Sequence, residues 1–365
     1  MAGKVDRAIA VLKDALLRDP KPRTFAAIRP ERVEGPGART TLVPNEVYLS
    51  ISIVRMQLRY AGILWRDFVP VAHSFVELSR EGENKVTIPF VAGKSKLSDE
   101  GIAKTLVVRN IDVLGPTPYI GGTVNVAVGL FASVANDYFD NLVGVLESFS
   151  DALGGKALSE SLNLIEPLKD GAESLLGIGD LRPIVGVQNG FDSADETGLG
   201  ALTTGFYAVV NVDESENFGD WLHFRDEQLM AEYKDGTVRP VEFDYVVFRI
   251  EATSDMPDYR RFPTLNRLKS KVLEAAVADP KLRSKAYREA LAAFDLAVFE
   301  DADLVGAHRV QIREGIRAEV KQIVSLDAPA KIAEVIDGTV EKSIALSAKH
   351  GPSWDRALMK AKRIS

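Results

Sequence analysis

Cysteine is absent from this sequence of 365 residues. Without thiols the chain can form no disulfide, no thiolate zinc site and no iron–sulfur cluster, and it has no cysteine nucleophile. A chain of this length can bury about three quarters of its unfolded surface, so it needs no covalent staple. The missing disulfides favour a cytoplasmic location.

Histidine is scarce, with four residues in the chain. None stands two or four positions from another, so the paired-histidine motif of zinc proteins is missing. His73 falls in an apolar run and is predicted to be hydrogen-bonded or exposed. His223 stands beside Trp221 and Phe224 and is predicted to be packed rather than catalytic. We therefore expect no metal site and no cofactor.

Long apolar runs are also missing. No window reaches the roughly 18 to 20 unbroken apolar residues of a membrane span. At the N-terminus, Lys4, Asp6 and Arg7 interrupt the stretch that a secretion signal would need. These features predict a protein without integral membrane association.

Nucleotide-binding and hydrolase motifs are incomplete. The triplet Gly93-Lys94-Ser95 ends like a phosphate-binding loop, but Ile88 stands where that loop needs its first glycine. The Gly-x-Ser-x-Gly turn of serine hydrolases does not occur. No catalytic residue is therefore assigned, although a triad assembled from distant residues stays open.

Acidic residues cluster in two segments, 192–196 and 213–216. Ala194 occupies a ligand position of the calcium-loop pattern, so the first segment departs from that pattern. We expect both segments to be solvated loops, and Ca²⁺ binding there stays an open alternative.

Alternating hydrophobic residues carry most of the structural information. Segment 104–133 holds two β-branched runs around Gly115 and Gly121, which predicts two strands joined by a loop. Asp235-Gly236 is typical of a tight antiparallel hairpin. Further strands are predicted near 46–53, 69–78, 85–91, 181–187, 204–212, 229–233, 237–241 and 243–250.

Helical periodicity interrupts the strands at 135–177. Apolar positions recur every three or four residues up to Leu153, and Pro167 then predicts a kink or two short helices. Strands and helices do not alternate regularly, which favours an α+β protein over a doubly wound parallel sheet. We expect an antiparallel β-sandwich-like domain at 41–255 that contains this helical insert.

The two ends differ from the β-rich middle. Residues 1–40 are predicted to form an amphipathic helix at 4–18 and a proline-rich arm. Residues 256–365 are predicted to form a C-terminal helical domain. Its helices are expected to start near Thr264, Lys281, Asp303, Asp327 and Ser353.

Charge is distributed unevenly along the chain. The net charge is −7, yet residues 256–365 carry 20 Lys and Arg against 15 Asp and Glu. In this part, Arg309, Arg313, Arg317 and Lys321 recur every four residues along one predicted helix face. The expectation is a solvated face or a partner-binding surface for an acidic protein or a second copy. Nucleic acid is disfavoured because no aromatic side chains interleave with the basic ones.

Three functions remain open. The favoured one is a non-enzymatic structural or adaptor subunit of a cytosolic multiprotein assembly, which binds other protein subunits or copies of itself. The first alternative is a hydrolase built on loops at one end of the sandwich, which would need a pocket with convergent polar groups. The second is a peripheral membrane-acting or pore-forming protein that uses the apolar helices at 136–176.

Overall fold

The computed structural model divides the chain into two compact units, Met1–Asp255 and Met256–Ser365. The predicted helix at 4–18 and the two predicted after Asp327 lie outside the described residues. Those described are 24–35, 39–58, 68–80, 83–93, 98–99, 106–134, 137–153, 158–176, 182–192, 200–212, 218–233, 235–254, 262–277 and 280–327.

The first unit is built mainly from strands. Several are buried on both faces. In β2 the apolar residues Leu49, Ile51 and Ile53 alternate with serines, yet Ser52 is buried as well. The strands are β1 (Thr24–Ala27), β2 (Tyr48–Leu58), β3 (Phe68–Arg80), β4 (Glu83–Ala92), β5 (Ser98–Asp99), β6 (Leu106–Pro118), β7 (Val124–Val134), β8 (Arg182–Phe191), β9 (Gly205–Val210), β10 (Leu222–Arg225), β11 (Gln228–Glu232), β12 (Val238–Pro240) and β13 (Tyr245–Thr253).

These strands form three antiparallel sheets. The six-stranded sheet has the order β1-β9-β13-β2-β6-β5, the four-stranded sheet β4-β3-β7-β8, and the three-stranded sheet β10-β11-β12. The predicted α+β class, with antiparallel sandwich-like packing, is confirmed.

Successive residues of β13 show how the sheets are layered. Val246 and Phe248 belong to an apolar core that the six-stranded sheet shares with the four-stranded sheet. Tyr245 and Val247 point the other way, into a second core shared with the three-stranded sheet. The six-stranded sheet is therefore the middle layer of three.

Part of the predicted proline-rich arm belongs to the six-stranded sheet. Strand β1 pairs with β9, with Phe25 opposite Val209. The ring of Phe25 stacks on those of Tyr207 and Phe248, with centroids 6.2 and 6.3 Å away. These ring contacts tie the arm to the first core.

Segment 104–133 forms two strands that join different sheets. Strand β6 runs to Pro118 and pairs with β2 through two register shifts, so the predicted loop at Gly115 is strand. Strand β7 pairs with β3. Between the two strands Gly121 and Gly122 have φ angles of +110° and +78°, which favour glycine. The chain therefore crosses from one sheet to the other at this turn.

Two helices, α1 (Asp137–Leu153) and α2 (Leu158–Leu176), separate β7 from β8 in the chain. Leu146 of α1 and Leu168 of α2 are buried in the first core, so the apolar faces of both helices are occupied. Helix α2 is one helix through Pro167, so the alternative of two short helices is wrong, while the kink stays a prediction. Burial of Leu168 in the core favours a single helix, because packing overrides local propensity.

Helix α1 covers the edge of the four-stranded sheet at β4. The backbone N–H of Val91 donates to Ser150 Oγ at 2.9 Å, and that of Gly93 donates to the Glu147 carboxylate. A Cβ on Gly93 would clash with Val143, so glycine is required for this approach. The helix thus satisfies strand groups that would otherwise remain unpaired.

The second unit contains three described helices, α3 (Pro263–Val277), α4 (Pro280–Glu300) and α5 (Gly306–Asp327). Buried side chains from all three, such as Val272, Phe294 and Ile316, form its interior. Helix α5 begins three residues after the predicted start, because Asp303 closes a turn in which its N–H donates to Asp301 Oδ1 at 2.9 Å.

Across the described residues, no helix is both long enough and apolar enough to cross a membrane.

Candidate functional site: a groove at the start of strand β9

A groove of about 430 Å³ opens where β9 begins and β13 continues past it. Its volume lies within the roughly 300–1,000 Å³ range of ligand pockets. We call it the β9 groove. Its lining combines hydroxyl groups, one ion pair and apolar side chains, from Thr40, Thr41, Val47, Thr204, Gly205, Phe206, Arg249, Ile250, Glu251, Ala252 and Ser254.

The groove results from a mismatch in strand length. The pairing of β9 with β13 ends at Gly205 and Ile250. Strand β13 runs on to Thr253, paired on its other side with β2. Gly205 has a φ of +138°, a conformation that residues with a Cβ rarely adopt, and the chain before it leaves the line of β9.

Backbone groups of β13 face the β9 groove. The carbonyl of Phe206 accepts the N–H of Ile28 on the β1 side, so Gly205, one residue earlier, faces β13 and its partner Ile250. Backbone direction alternates along a strand, which turns the N–H and C=O of Ala252 the same way as those of Ile250. In the described part of the chain no strand pairs with Ala252 on that side.

Arg249 is the principal charged group of the groove. Its Nη2 lies 2.8 Å from Glu251 Oε2, and its guanidinium carbon lies 5.7 Å from the ring centroid of Phe206. The two ion-paired side chains are 37% and 48% exposed, so a ligand can reach them. Arg249 Nε is buried without a hydrogen-bond acceptor. Stacking on the ring holds the guanidinium plane in place.

A network of hydrogen bonds fixes the opposite side of Gly205. Thr40 and Thr204 are joined twice, because the Thr40 N–H donates to Thr204 Oγ1 and the Thr204 N–H donates to the Thr40 carbonyl, both at 2.9 Å. Arg39 donates to the hydroxyls of Thr203 and Tyr207 at 3.2 and 3.3 Å. Thr40 and Thr204 are therefore held in place by the fold before any ligand binds.

No motif in the sequence points to these residues. The available signal was the alternation in β13, where buried Phe248 and Ile250 alternate with the charged residues Arg249 and Glu251. That spacing places both charges on one face of a strand. The groove beside them depends on where β9 stops pairing.

The predicted partner-binding ribbon lies on α5, where its three arginines bond groups of the same bundle. Arg313 bonds both carboxylate oxygens of Asp295 at 3.1 and 3.4 Å, and Arg317 reaches the same carboxylate at 2.5 Å. Arg309 donates to the Asp301 carbonyl at 2.6 Å. Lys321 is exposed. Partner binding by this ribbon stays a prediction, and the arginines also join α5 to α4.

A second polar cluster holds the three-stranded sheet on the six-stranded sheet. Buried Arg55 donates from Nε to the hydroxyl of Tyr245 at 2.8 Å and from Nη1 to the carbonyl of Glu227 at 3.2 Å. The Tyr245 hydroxyl donates to Gln57 Oε1 at 3.2 Å. Burial raises the pKa of Tyr245, and the neighbouring Arg55 charge opposes that rise.

The hairpin tip at this cluster has unusual backbone geometry. Asp226 and Glu227 have φ angles of +48° and +56°, positions usually given to Asn or Gly. The Glu227 carboxylate lies 3.8 Å from Arg109 Nη1 and 3.5 Å from Asn110 Nδ2, which favours the strained turn. No turn signal in the sequence marked it.

The prediction for His73 is wrong. Its side chain is 1% exposed, its ring lies 4.6 Å from that of Phe75, and neither ring nitrogen has a hydrogen-bond partner. Burial lowers its pKa to about 3. The sequence suggested a satisfied or surface histidine because buried polar groups are usually paired.

His223 is buried, as predicted, and lies 3.6 Å from Glu232 Oε2. Burial and then the charges of Arg32 and Arg225 lower its pKa, while Glu232 opposes them.

Of the two acidic segments, only Asp192 falls among the described residues, and its Oδ2 accepts a hydrogen bond from Thr123 at 2.8 Å. Within the described ranges no three His, Asp or Glu side chains converge as metal ligands would. Comparison of the chain with protein-family models, with curated proteins and with solved structures finds no match.

Proposed function

We propose that this chain is a non-enzymatic structural or adaptor subunit of a cytosolic multiprotein assembly, acting through contacts with other protein subunits or with copies of itself. The observation that supports it is the exposed end of β13 in the β9 groove. Backbone groups of Ala252 lack a partner strand there among the described residues. A strand edge of this kind is a common site for main-chain pairing with another polypeptide.

The lining of the groove also suits recognition. The Arg249–Glu251 pair lies beside an aromatic ring, and the Thr204 hydroxyl is positioned by a hydrogen bond from the Thr40 N–H. Preorganised groups lose little conformational entropy when a partner binds. The groove can therefore bind a partner with the geometry that it already has.

The test is the state of the full-length chain in its native host. The chain would be affinity-tagged, purified under native conditions and examined by native mass spectrometry and light scattering. We expect a defined oligomer, or a partner at fixed ratio that recovers this chain when it is tagged in turn. A monomer at every concentration, with no partner at fixed ratio, would contradict the proposal.

A further inference from the structure

We infer that the β9 groove takes an extended segment of a partner polypeptide, which adds to β13 as a strand and carries alternating apolar and polar side chains. This inference rests on the proposed function and specifies the chemistry of the partner. It also makes the residues of the groove individually testable.

The first step is the direction of the backbone. Ile250 is the last residue of β13 that pairs with β9, and Ala252 presents its N–H and C=O on the same side. A segment that continues the line of β9 would accept one hydrogen bond from Ala252 and donate another to it. Main-chain pairing of this kind supplies affinity without fixing the sequence of the partner.

The second step is length. Glu251, Ala252 and Thr253 lie beyond the last β9 pair and remain joined to β2. At about 3.3 Å per residue, this overhang matches about three residues of an added strand. The groove volume of about 430 Å³ accommodates a segment of that size.

The third step is the difference between the two faces of β13. Ile250 and Ala252 point toward the first core, on the side where Val47 also packs. Arg249 and Glu251 point the opposite way and are partly exposed. An added strand would therefore place an apolar side chain on the first side and polar side chains on the second.

The experiment selects peptides with the full-length chain. A phage-displayed library of random dodecapeptides is panned on the protein, and the enriched sequences are synthesised with a fluorescent label. Binding is measured by fluorescence anisotropy. We expect enriched peptides to alternate between β-branched or apolar and polar residues. Failure to enrich any sequence overturns the inference.

Two protein variants locate the binding site. Ala252→Pro removes the groove-facing N–H while leaving the direction of the β2 ladder unchanged, and should weaken binding by about tenfold or more. Val238→Pro is the matched control. The Val238 N–H points away from β11, because the backbone groups of Thr237 and Val241 bond toward β11 and backbone direction alternates along a strand. Pro240, two residues later, already stands at an equivalent outward-facing position. Equal binding by wild type and Ala252→Pro overturns the inference.

N-methylated peptides test the inference on the wild-type protein, so the result does not depend on whether a protein variant folds. Each residue of an enriched peptide is N-methylated in turn, and binding to the wild-type chain is measured. An added strand predicts loss of binding at alternate positions, because every second N–H faces β13. Loss without this period of two, or no loss at all, overturns the inference.

The outcomes separate this inference from the proposed function. Peptide binding with the expected pattern, in a chain that forms no complex in its host, supports the groove and contradicts the assembly role. A complex that forms equally well with Ala252→Pro supports the assembly role and places its contacts elsewhere.

Discussion

Ser150 and Val91 are joined by a hydrogen bond from strand backbone to helix side chain across 59 positions of sequence. Both residues are buried. The bond pairs an outward-facing N–H of β4 with α1, so the helix completes the sheet on the side where none of the described strands pairs with β4.

Replacing Ser150 tests this arrangement. Ser150→Ala leaves the Val91 N–H buried without an acceptor, and should lower the free energy of unfolding by about 1–3 kcal/mol. Ser148→Ala is the control, since Ser148 Oγ is exposed and bonds the Gly144 carbonyl in its own helix. Urea unfolding measures the difference, and hydrogen exchange should accelerate at Val91. Equal stability of the two variants would show that α1 does not complete the edge.

Two buried tyrosine hydroxyls allow a matched comparison. The Tyr245 hydroxyl bonds Arg55 and Gln57, whereas the Tyr287 hydroxyl has no hydrogen-bond partner. Tyr245→Phe should therefore destabilise the protein by about 1–3 kcal/mol, because it leaves buried polar groups unsatisfied. Tyr287→Phe should change stability by less than about 0.5 kcal/mol, or stabilise the protein slightly. The same loss in both variants would mean that the Arg55 cluster does not hold the three-stranded sheet.

The Asp295 carboxylate should stabilise the helical unit. Asp295→Asn removes the charge that Arg313 and Arg317 share, and we expect a loss of about 1–3 kcal/mol in a partly buried setting. Glu289→Gln removes an exposed pair with Lys285 and should cost less than about 0.5 kcal/mol. Hydrogen exchange in α4 and α5 reports this unit separately. If hydrogen exchange in α4 and α5 is the same in Asp295→Asn as in wild type, the contact of Arg313 and Arg317 with Asp295 does not stabilise this unit.

His73 should make the protein less stable in acid. The unfolded imidazole binds a proton below about pH 6.5, whereas burial keeps the folded one neutral down to about pH 3. Protonation therefore favours the unfolded chain throughout that window, by about 1.4 kcal/mol per pH unit. His73→Leu should match or exceed wild-type stability near neutral pH and lose less between about pH 6 and 4.

Unfolding free energies across this pH range measure the effect. His223→Gln is the control. The pKa of His223 is also lowered, but Glu232 opposes the shift, so this variant should change the profile less. If the unfolding free energies of wild type and His73→Leu depend on pH in the same way, the lowered pKa assigned to His73 is contradicted.

Hydrophobic patterning predicted where most strands and helices lie, because period and punctuation are local properties of the chain. It did not predict how strands pair. The neighbours β2 and β13 are separated by almost the whole unit, and their register depends on packing. The chain between β6 and β7 looks like a hairpin connection, yet it links two sheets.

The candidate groove could not be predicted from the sequence for a related reason. No residue type in it is diagnostic, and the opening exists because β9 begins at Gly205 while its antiparallel neighbour β13 continues past that point. Likewise, Glu227 adopts its turn through contacts with Arg55 and Arg109, which come from other strands. A turn prediction that uses only adjacent residues cannot detect contacts with distant strands.

The central place of β13 in the six-stranded sheet delays assembly during translation. This strand joins β9 to β2, although it is the last of the thirteen described strands to be synthesised. At about 5–20 residues per second, the ribosome needs on the order of ten seconds or more between releasing β1 and releasing β13. Until then the nascent chain carries two half-sheets with open inner borders. We expect chaperones to be most needed in that interval, and the halves to join in one late, cooperative event.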